Sequence, residues 1–233
     1  MANNMTRLLI TRPEPGASST LKLAQQMGMD AVKFPFFEIA PHIWDAPPAA
    51  DFDAIMLTSA NALRHGGEKL RQYIALPAYC VGQSTANLAQ QMGFDIAHVG
   101  RGGAASIMPL LRAHHRRHIF CPSGGHRAIL TDEQTSGLTL FPASLYMAQR
   151  VNMTSAMIEA IKQADIISIY SARAAQYLSE ISKQYEIDLS GKFIAALSHQ
   201  IAAAMGDNSL QYIIPEYPDD EKILRKMKAM SQY

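Results

Sequence analysis

The chain is 233 residues long with 48% apolar and 18% charged side chains, which fits one large globular domain or two of about 110 residues and excludes a disordered chain. Twenty-one Lys and Arg against 20 Asp and Glu leave a formal charge of +1, so no global basic field holds a nucleic-acid backbone, and an anionic ligand must be met by local groups. The two cysteines, Cys80 and Cys121, lack a Cys-x-x-Cys spacing, which excludes a disulfide framework and a zinc ribbon and suits a reducing compartment.

In chain order, Arg7–Thr11 reads as a strand, Ala17–Met27 as a helix and Ala31–Phe37 as a strand. Strand Ala54–Leu57, helix Ala60–Leu70, strand Ala78–Val81, helix Ser84–Met92 and strand Ile96–Val99 follow. Helix Ala104–Ala113, strand His118–Cys121, a helical stretch over about residues 125–135 and the extended segment Thr139–Arg150 continue the alternation. The last third predicts helix Thr154–Gln163, strand Ile166–Tyr170, helix Ala172–Gln184, strand Phe193–Leu197, helix Gln200–Met205, strand Gln211–Ile214 and a closing helix, Asp219–Met230. Short strands alternating with helices imply parallel sheets of right-handed βαβ units, and the lack of period-2 patterning implies that both faces of each sheet are covered. The N-terminal apolar run, residues 8–10, is too short for a secretory core, and nothing approaches the ~18 apolar residues that cross a bilayer. The expectation is a cytoplasmic protein that binds neither membrane nor nucleic acid. No long apolar stripe asks for a partner chain, so a monomer is expected.

The chain repeats itself. Leu23-Ala24-Gln25-Gln26-Met27-Gly28 recurs letter for letter at residues 88–93, and each copy precedes a strand. Residues 54–63 resemble 167–178, with Ser59 matching Ser171; residues 78–88 resemble 193–205; and residues 8–36 resemble 119–142, each ending on Phe-Pro. Two related α/β halves follow from this. The Phe34-Pro35 and Phe141-Pro142 strands sit where the chain passes from one half to the other, and proline is poorly tolerated in central strands, so they read as linkers.

Small, hydroxyl-bearing or glycine-rich turns close nearly every strand: residues 11–13, 58–61, 82–85, 100–103, 122–125, 171–173 and 198–200. Open parallel sheets bind ligands at that edge, where helix N-termini present free N–H groups to anions. The bland alternative for each Ser, Thr or Asn is an N-cap. Gly100 to Ala105 matches G-x-G-x-x-A, but strand His118–Cys121 carries no acidic residue for a ribose, and Gly191-Lys192 is followed by Phe193, not Ser or Thr. A nucleotide-dependent oxidoreductase is therefore the least favoured class. His114, His115 and His118 interleave with Arg116 and Arg117 at a helix C-terminus, where cations are at home, so neither they nor His126 predict a metal site. Cys121 has no evident base and reads as a buried strand residue. Tyr146 lies in the second connector, where its phenol either faces the gap between domains or packs with a hydrogen-bonded tip.

Together these residues resemble the uroporphyrinogen-III synthase family over nearly the whole chain. Thr11-Arg12-Pro13, the block Asp53–Ala62, Val81-Gly82-x-x-Thr85-Ala86, Val99-Gly100, the Cys121 turn with Gly124, Gly125 and Arg127, Tyr146, and Tyr170-Ser171-x-Arg173 carry the resemblance by order and spacing. It implies two similar α/β domains, each a parallel sheet flanked by helices, joined by a two-stranded connector at about residues 34–41 and 143–150. Domain 1 would be discontinuous (1–36 plus 150–233) and domain 2 would span 37–149, with the substrate cleft between them. The family's substrate is hydroxymethylbilane, a linear tetrapyrrole polycarboxylate, cyclised without cofactor or metal by a lyase reaction that inverts ring D and loses water. By position, Ser59, Thr85 and Ser171 would bond the substrate's side chains or pyrroles, and Tyr146 would help the hydroxyl depart. The strand-end turns add Thr58, Ser123 and Ser198 as substrate-binding residues. Two positions depart from the family pattern: Asn61 stands where some members carry Arg, and Ser198-His199-Gln200-Ile201 replaces the frequent Gly-Pro-x-Thr turn. Arg12, Arg101, Arg127 and Arg173 are the candidates to supply the missing charge. The residues by themselves leave a second class open, a non-catalytic two-lobed binding module for a small polyanion.

Overall fold

Each apolar run forms a short strand, and the helices pack in the gaps between them. The computed structural model describes residues 6–100, 103–125, 131–216 and 219–230. The strands are β1 (Arg7–Ile10), β2 (Asp30–Lys33), β3 (Phe37–Pro41), β4 (Ala54–Leu57), β5 (Ala78–Cys80), β6 (Ile96–Val99), β7 (His118–Gly124), β8 (Thr139–Arg150), β9 (Ile166–Ile169), β10 (Phe193–Ala196) and β11 (Gln211–Ile213). The helices are α1 (Gly16–Gln26), α2 (Ala60–His65), α3 (Gln83–Gln91), α4 (Met108–Ala113), α5 (Asp132–Thr135), α6 (Ser155–Gln163), α7 (Ala172–Gln184), α8 (His199–Ala203) and α9 (Asp220–Met230).

The chain divides into two compact units, residues 1–38 with 149–233 and residues 39–148. The first unit holds a parallel sheet in the order β11-β10-β9-β1-β2, and the second holds β3-β8-β7-β4-β5-β6. From β8 to β6 the second sheet is also parallel. The repeat seen in the sequence is realised strand for strand: β9, β10, β11, β1 and β2 take the places that β4, β5, β6, β7 and β8 take in the other unit. Strand β3 is the addition. Phe36 O accepts from Val151 N (3.0 Å) and Leu145 O from His42 N (2.8 Å), so β3 runs antiparallel to β8 and the pair is the two-stranded connector.

Burial on both faces explains the missing alternation. Every residue of β4 and of β9 is buried. In the first unit Leu8, Ile10, Ile166, Ala195 and Ile213 meet Ala17 and Ala24 of α1 and Ile223, Leu224 and Met227 of α9. In the second, Trp44, Phe52, Tyr73 and Phe120 form an aromatic cluster, with the Tyr73 and Phe120 rings 4.2 Å apart. Burial, and then Asp51, pushes the Tyr73 phenol up to about 12, while its hydroxyl donates to Pro47 O (2.7 Å). An aspartate closes each switch between strands in the same way. Asp165 accepts from Arg7 N (2.7 Å), and Asp53 accepts from Arg117 N (2.9 Å) and His118 N (2.8 Å).

The letter-for-letter repeat is a helix stop. Gly28 (φ +73°) and Gly93 (φ +93°) take the left-handed conformation, and the next N–H, of Met29 or Phe94, reaches back to Ala24 O or Ala89 O at 3.0 Å.

Several expected elements differ. The helix expected to run to Leu70 stops at His65, because Gly66-Gly67 breaks it (Gly67 φ +66°) and Glu68–Tyr73 continues as a 3-10 helix. The start of the helix expected over 104–113 is likewise a 3-10 turn, Ala104–Ile107, ahead of Pro109 in the first turn of α4. Of the helical stretch over 125–135, Asp132–Thr135 is helical, Gly125 is not, and residues 126–130 lie outside the described residues. The strand expected over 31–37 breaks at Pro35, while Phe34 N and Phe36 N still donate to Ile10 O and Thr11 O (2.9 Å each).

Phe141-Pro142 is not a linker. It lies inside β8, with Pro142 level with Cys121 of β7. Thr139 N donates to Arg117 O, just ahead of β7, so alternation turns the Pro142 nitrogen away from β7, where no N–H is needed. Among the described residues no helix is long and apolar enough to cross a membrane, and no group of three His, Cys, Asp or Glu could hold a metal ion.

Candidate functional site

Each sheet reverses its winding once, between β9 and β1 in the first unit and between β4 and β7 in the second. Loops leaving the two strands at such a point diverge and leave a crevice at their carboxyl ends. The described site candidates of each unit fall at that edge or at the neighbouring strand ends.

In the first unit Thr11 Oγ1 donates to Ser168 O (2.6 Å) and Ser168 Oγ donates to Leu9 O (3.0 Å), which ties β1 to β9 at the crevice floor. Arg12 follows. Its guanidinium lies 4.3 Å from the Tyr170 ring centroid, donates to Thr20 Oγ1 (3.2 Å) and pairs with Asp220 at the start of α9. Gly16 makes room for it, since a Cβ there would stand 2.5 Å from Arg12 Nε. The charge expected to meet a substrate carboxylate is therefore already paired with a carboxylate of the chain itself. Burial first, and then Asp220, raises the Tyr170 phenol above its ordinary value.

The hydroxyls of three candidates are N-caps. Ser171 accepts from Ala174 N (3.2 Å), Ser198 from Ile201 N (3.3 Å) and Ser59 from Asn61 N (3.1 Å). Capping uses the oxygen's lone pair and leaves each hydroxyl proton free to donate to an anion. Arg173 stacks over Phe37 at 4.6 Å, and burial, then Arg150, lowers its pKa. Asn61 Oδ1 accepts from Arg64 (3.0 Å) and so orients that guanidinium.

Thr58 is half-buried beside the Ser59 cap, and continuing the pairing of Ile55 with Phe120 places it level with Ser123. Ser123 is buried and donates to Gly124 O (3.2 Å). Thr85 is buried in the first turn of α3, behind Gly82, whose N-cap position supplies no side-chain acceptor. An open depression of about 440 Å3 lies there, lined by Val81, Gly82, Gln83, Val99, Gly100 and Gly103. Arg101 and Arg127 lie outside the described residues.

Tyr146 is set by a bulge. The β7–β8 register slips between Ser123 and Gly124, so Gly124 faces Tyr146 and Gly125 N donates to Tyr146 O (2.9 Å). A bulge re-aims the side chain beside it. The half-buried phenol lies against Gly124, where a Cβ would stand 2.7 Å from Cε2 and 3.1 Å from the hydroxyl oxygen. The His65 ring is another neighbour, with centroids 6.0 Å apart. Sequence reasoning missed His65 and Asp220. The signal for His65 was its offset from Ser59, and no signal marked Asp220, whose partner is 208 residues away.

Comparison with known proteins decides the family. The family model described as uroporphyrinogen-III synthase HemD matches residues 18–225. The chain belongs to the uroporphyrinogen-III synthase family. A uroporphyrinogen-III synthase of Chlorobaculum parvum is 29% identical over 101 residues, which span 40% of this chain and 41% of that protein. The crystal structure of a Helicobacter pylori uroporphyrinogen-III synthetase matches 97% of this chain and 100% of that one at a TM-score of 0.68 and 17% identity. A mutant uroporphyrinogen III synthase of Thermus thermophilus matches 97% and 98% at 0.60 and 14%. At those identities the two structures establish the synthase fold, parallel sheets flanked by helices, and nothing finer. Membership in the synthase family disfavours the non-catalytic binding module.

Proposed function

We propose that this chain cyclises hydroxymethylbilane to uroporphyrinogen III as a cofactor-independent hydro-lyase of tetrapyrrole biosynthesis. The observation that carries the reading is the placement of Tyr146: a half-buried phenol on a bulge at a sheet's carboxyl edge, beside a residue with no side chain.

The chemistry asks little of a protein nucleophile. The ring A carbon–oxygen bond breaks, and the hydroxyl leaves as water with a proton from the Tyr146 hydroxyl. The ring nitrogen's lone pair expels the water and leaves an azafulvenium cation beside the phenolate. The substituted carbon of ring D attacks that cation, and the spiro intermediate reopens and closes with ring D inverted. The proton released as the last pyrrole regains aromaticity returns to Tyr146. A phenol keeps its proton at neutral pH and can serve as that donor. The bilane's carboxylates would be met by the capping hydroxyls of Ser59, Ser171 and Ser198 and by the open N-terminus of α3 beside Thr85. Arg173 adds charge, and Arg12 does so only by leaving Asp220. Catalysis then rests on holding one conformer in which the inverting closure outruns the simple one. A cytoplasmic monomer completes the reading, supported for the compartment by the buried cysteines Cys80 and Cys121, neither of which is in a disulfide.

The test is steady-state kinetics on freshly generated bilane. Tyr146→Phe lowers kcat by about 10- to 100-fold, the scale of a lost general acid, with KM little changed. Unchanged kcat in that variant contradicts the role given to the phenol.

A further inference from the structure

The two units place the same helix at equivalent strand ends: α2 starts after its cap Ser59, and α7 starts after its cap Ser171. At equal distance from the caps, His65 occupies the position that Tyr177 occupies in the first unit. Tyr177 is a buried packing residue. Its ring meets Phe36 edge-on (5.6 Å, 89°) and Phe37 (5.7 Å), and its hydroxyl donates to Val151 O (3.0 Å). His65 keeps a planar ring at this position but lays it against Tyr146, with centroids 6.0 Å apart and planes at 41°.

The backbone around His65 is built for that approach. A Cβ on Gly66 would stand 2.8 Å from Ala62 O, 2.8 Å from Leu70 Cδ2 and 3.0 Å from Cδ2 of Leu145, the residue before Tyr146. Trp44 Nε1 fixes the same turn by donating to Gly66 O (3.1 Å). The end of α2 is thus pressed onto β8 at the residue preceding the phenol. Gly124 bears on the phenol ring from β7, so glycines at two points let the ring be confined.

We propose that His65 is a positioning residue for Tyr146: its imidazole walls off the phenol's other rotamers and keeps the hydroxyl aimed at the departing group. This rests on the reading of Tyr146 as the proton donor. An unconfined aromatic side chain has several staggered wells, and a donor displaced by about 1 Å loses much of its advantage. Burial, then the Arg64 charge, pulls His65 below its ordinary pKa, so the wall is neutral at pH 7 and sets no cation beside the phenol.

The test is a double-mutant cycle in the full chain, read as kcat and KM on enzymatically generated bilane, with melting temperature measured alongside. His65→Ala lowers kcat about tenfold, in the range of coupling between touching residues, with KM unchanged, and lowers it no further when Tyr146 is already Phe. His65→Phe, which retains a flat ring, restores most of kcat. Should His65→Ala fail to fold, His65→Gln supplies the same measurement without the ring. An equal loss of kcat in both backgrounds, or no loss in either, overturns the proposal. Full kcat in Tyr146→Phe alone overturns the donor role itself, so the two failures are told apart.

Discussion

Gly124 and Tyr146 are shaped to each other: a single methyl on Gly124 would reach within 2.7 Å of the phenol ring and 3.1 Å of its hydroxyl oxygen. Gly124 has no left-handed φ to protect, so clearance alone requires glycine there. Gly124→Ala is expected to displace the ring and lower kcat about 10- to 100-fold while the protein still folds. Steady-state kinetics with a thermal melt check this, and unchanged kcat would mean that the ring's position does not matter.

Arg12, expected to meet substrate, is paired with Asp220. The pair is partly exposed, with side chains 26% and 39% accessible, so it stabilises weakly. Asp220→Asn is expected to cost about 0.5–1 kcal/mol in urea unfolding. KM for bilane should stay the same or fall, because the guanidinium is released; a raised KM would contradict the assignment of Asp220 as a competitor for Arg12.

Asp53 joins β4 to the start of β7 through two backbone N–H groups, and those bonds first, then the nearby His118 and Arg116 charges, hold its carboxyl below the usual range. A folded-state value below the unfolded 3.8 means that this stability is present above pH 3.8 and is lost as pH falls through the lower folded value. Asp53→Ala, discounted for its exposure, is expected to cost about 1–2 kcal/mol at pH 7. The gap to the parent should shrink near pH 3; a gap that stays constant would assign the loss to packing.

His65 follows the same sign at a higher pH. Its folded pKa lies below the ordinary 6.5, so the unfolded chain binds the proton more readily, and stability falls as pH drops below 6.5 toward the folded value. The parent's melting temperature is expected to drop more than that of His65→Phe between pH 7.5 and 5.5. Parallel curves would show that the His65 proton is indifferent to folding.

Much of the fold was legible because it is written twice. The duplicated Leu-Ala-Gln-Gln-Met-Gly ends two helices with the same carbonyl contact, and the matched segments became matched strands. The misreadings came from backbone details that composition does not carry. Apolar periodicity ran through Gly66-Gly67, but the left-handed Gly67 ended the helix. Phe141-Pro142 looked like a linker because a strand proline is costly only when its nitrogen faces a partner, and here it faces away from β7. At the site, the serines expected to bind substrate lie at strand ends, and Ser59, Ser171 and Ser198 cap helices there, the bland alternative their residue types carried. The bulge that aims Tyr146 and the carboxylate that pairs with Arg12 are, by contrast, tertiary facts.

The most direct measurement of the central claim is the isomer composition of the product. Bilane generated in situ is closed in the presence of the purified chain, and the oxidised porphyrin isomers are separated and quantified. Type III uroporphyrinogen well above the protein-free control is the predicted result. Type I alone, at the spontaneous rate and with folded protein present, contradicts it.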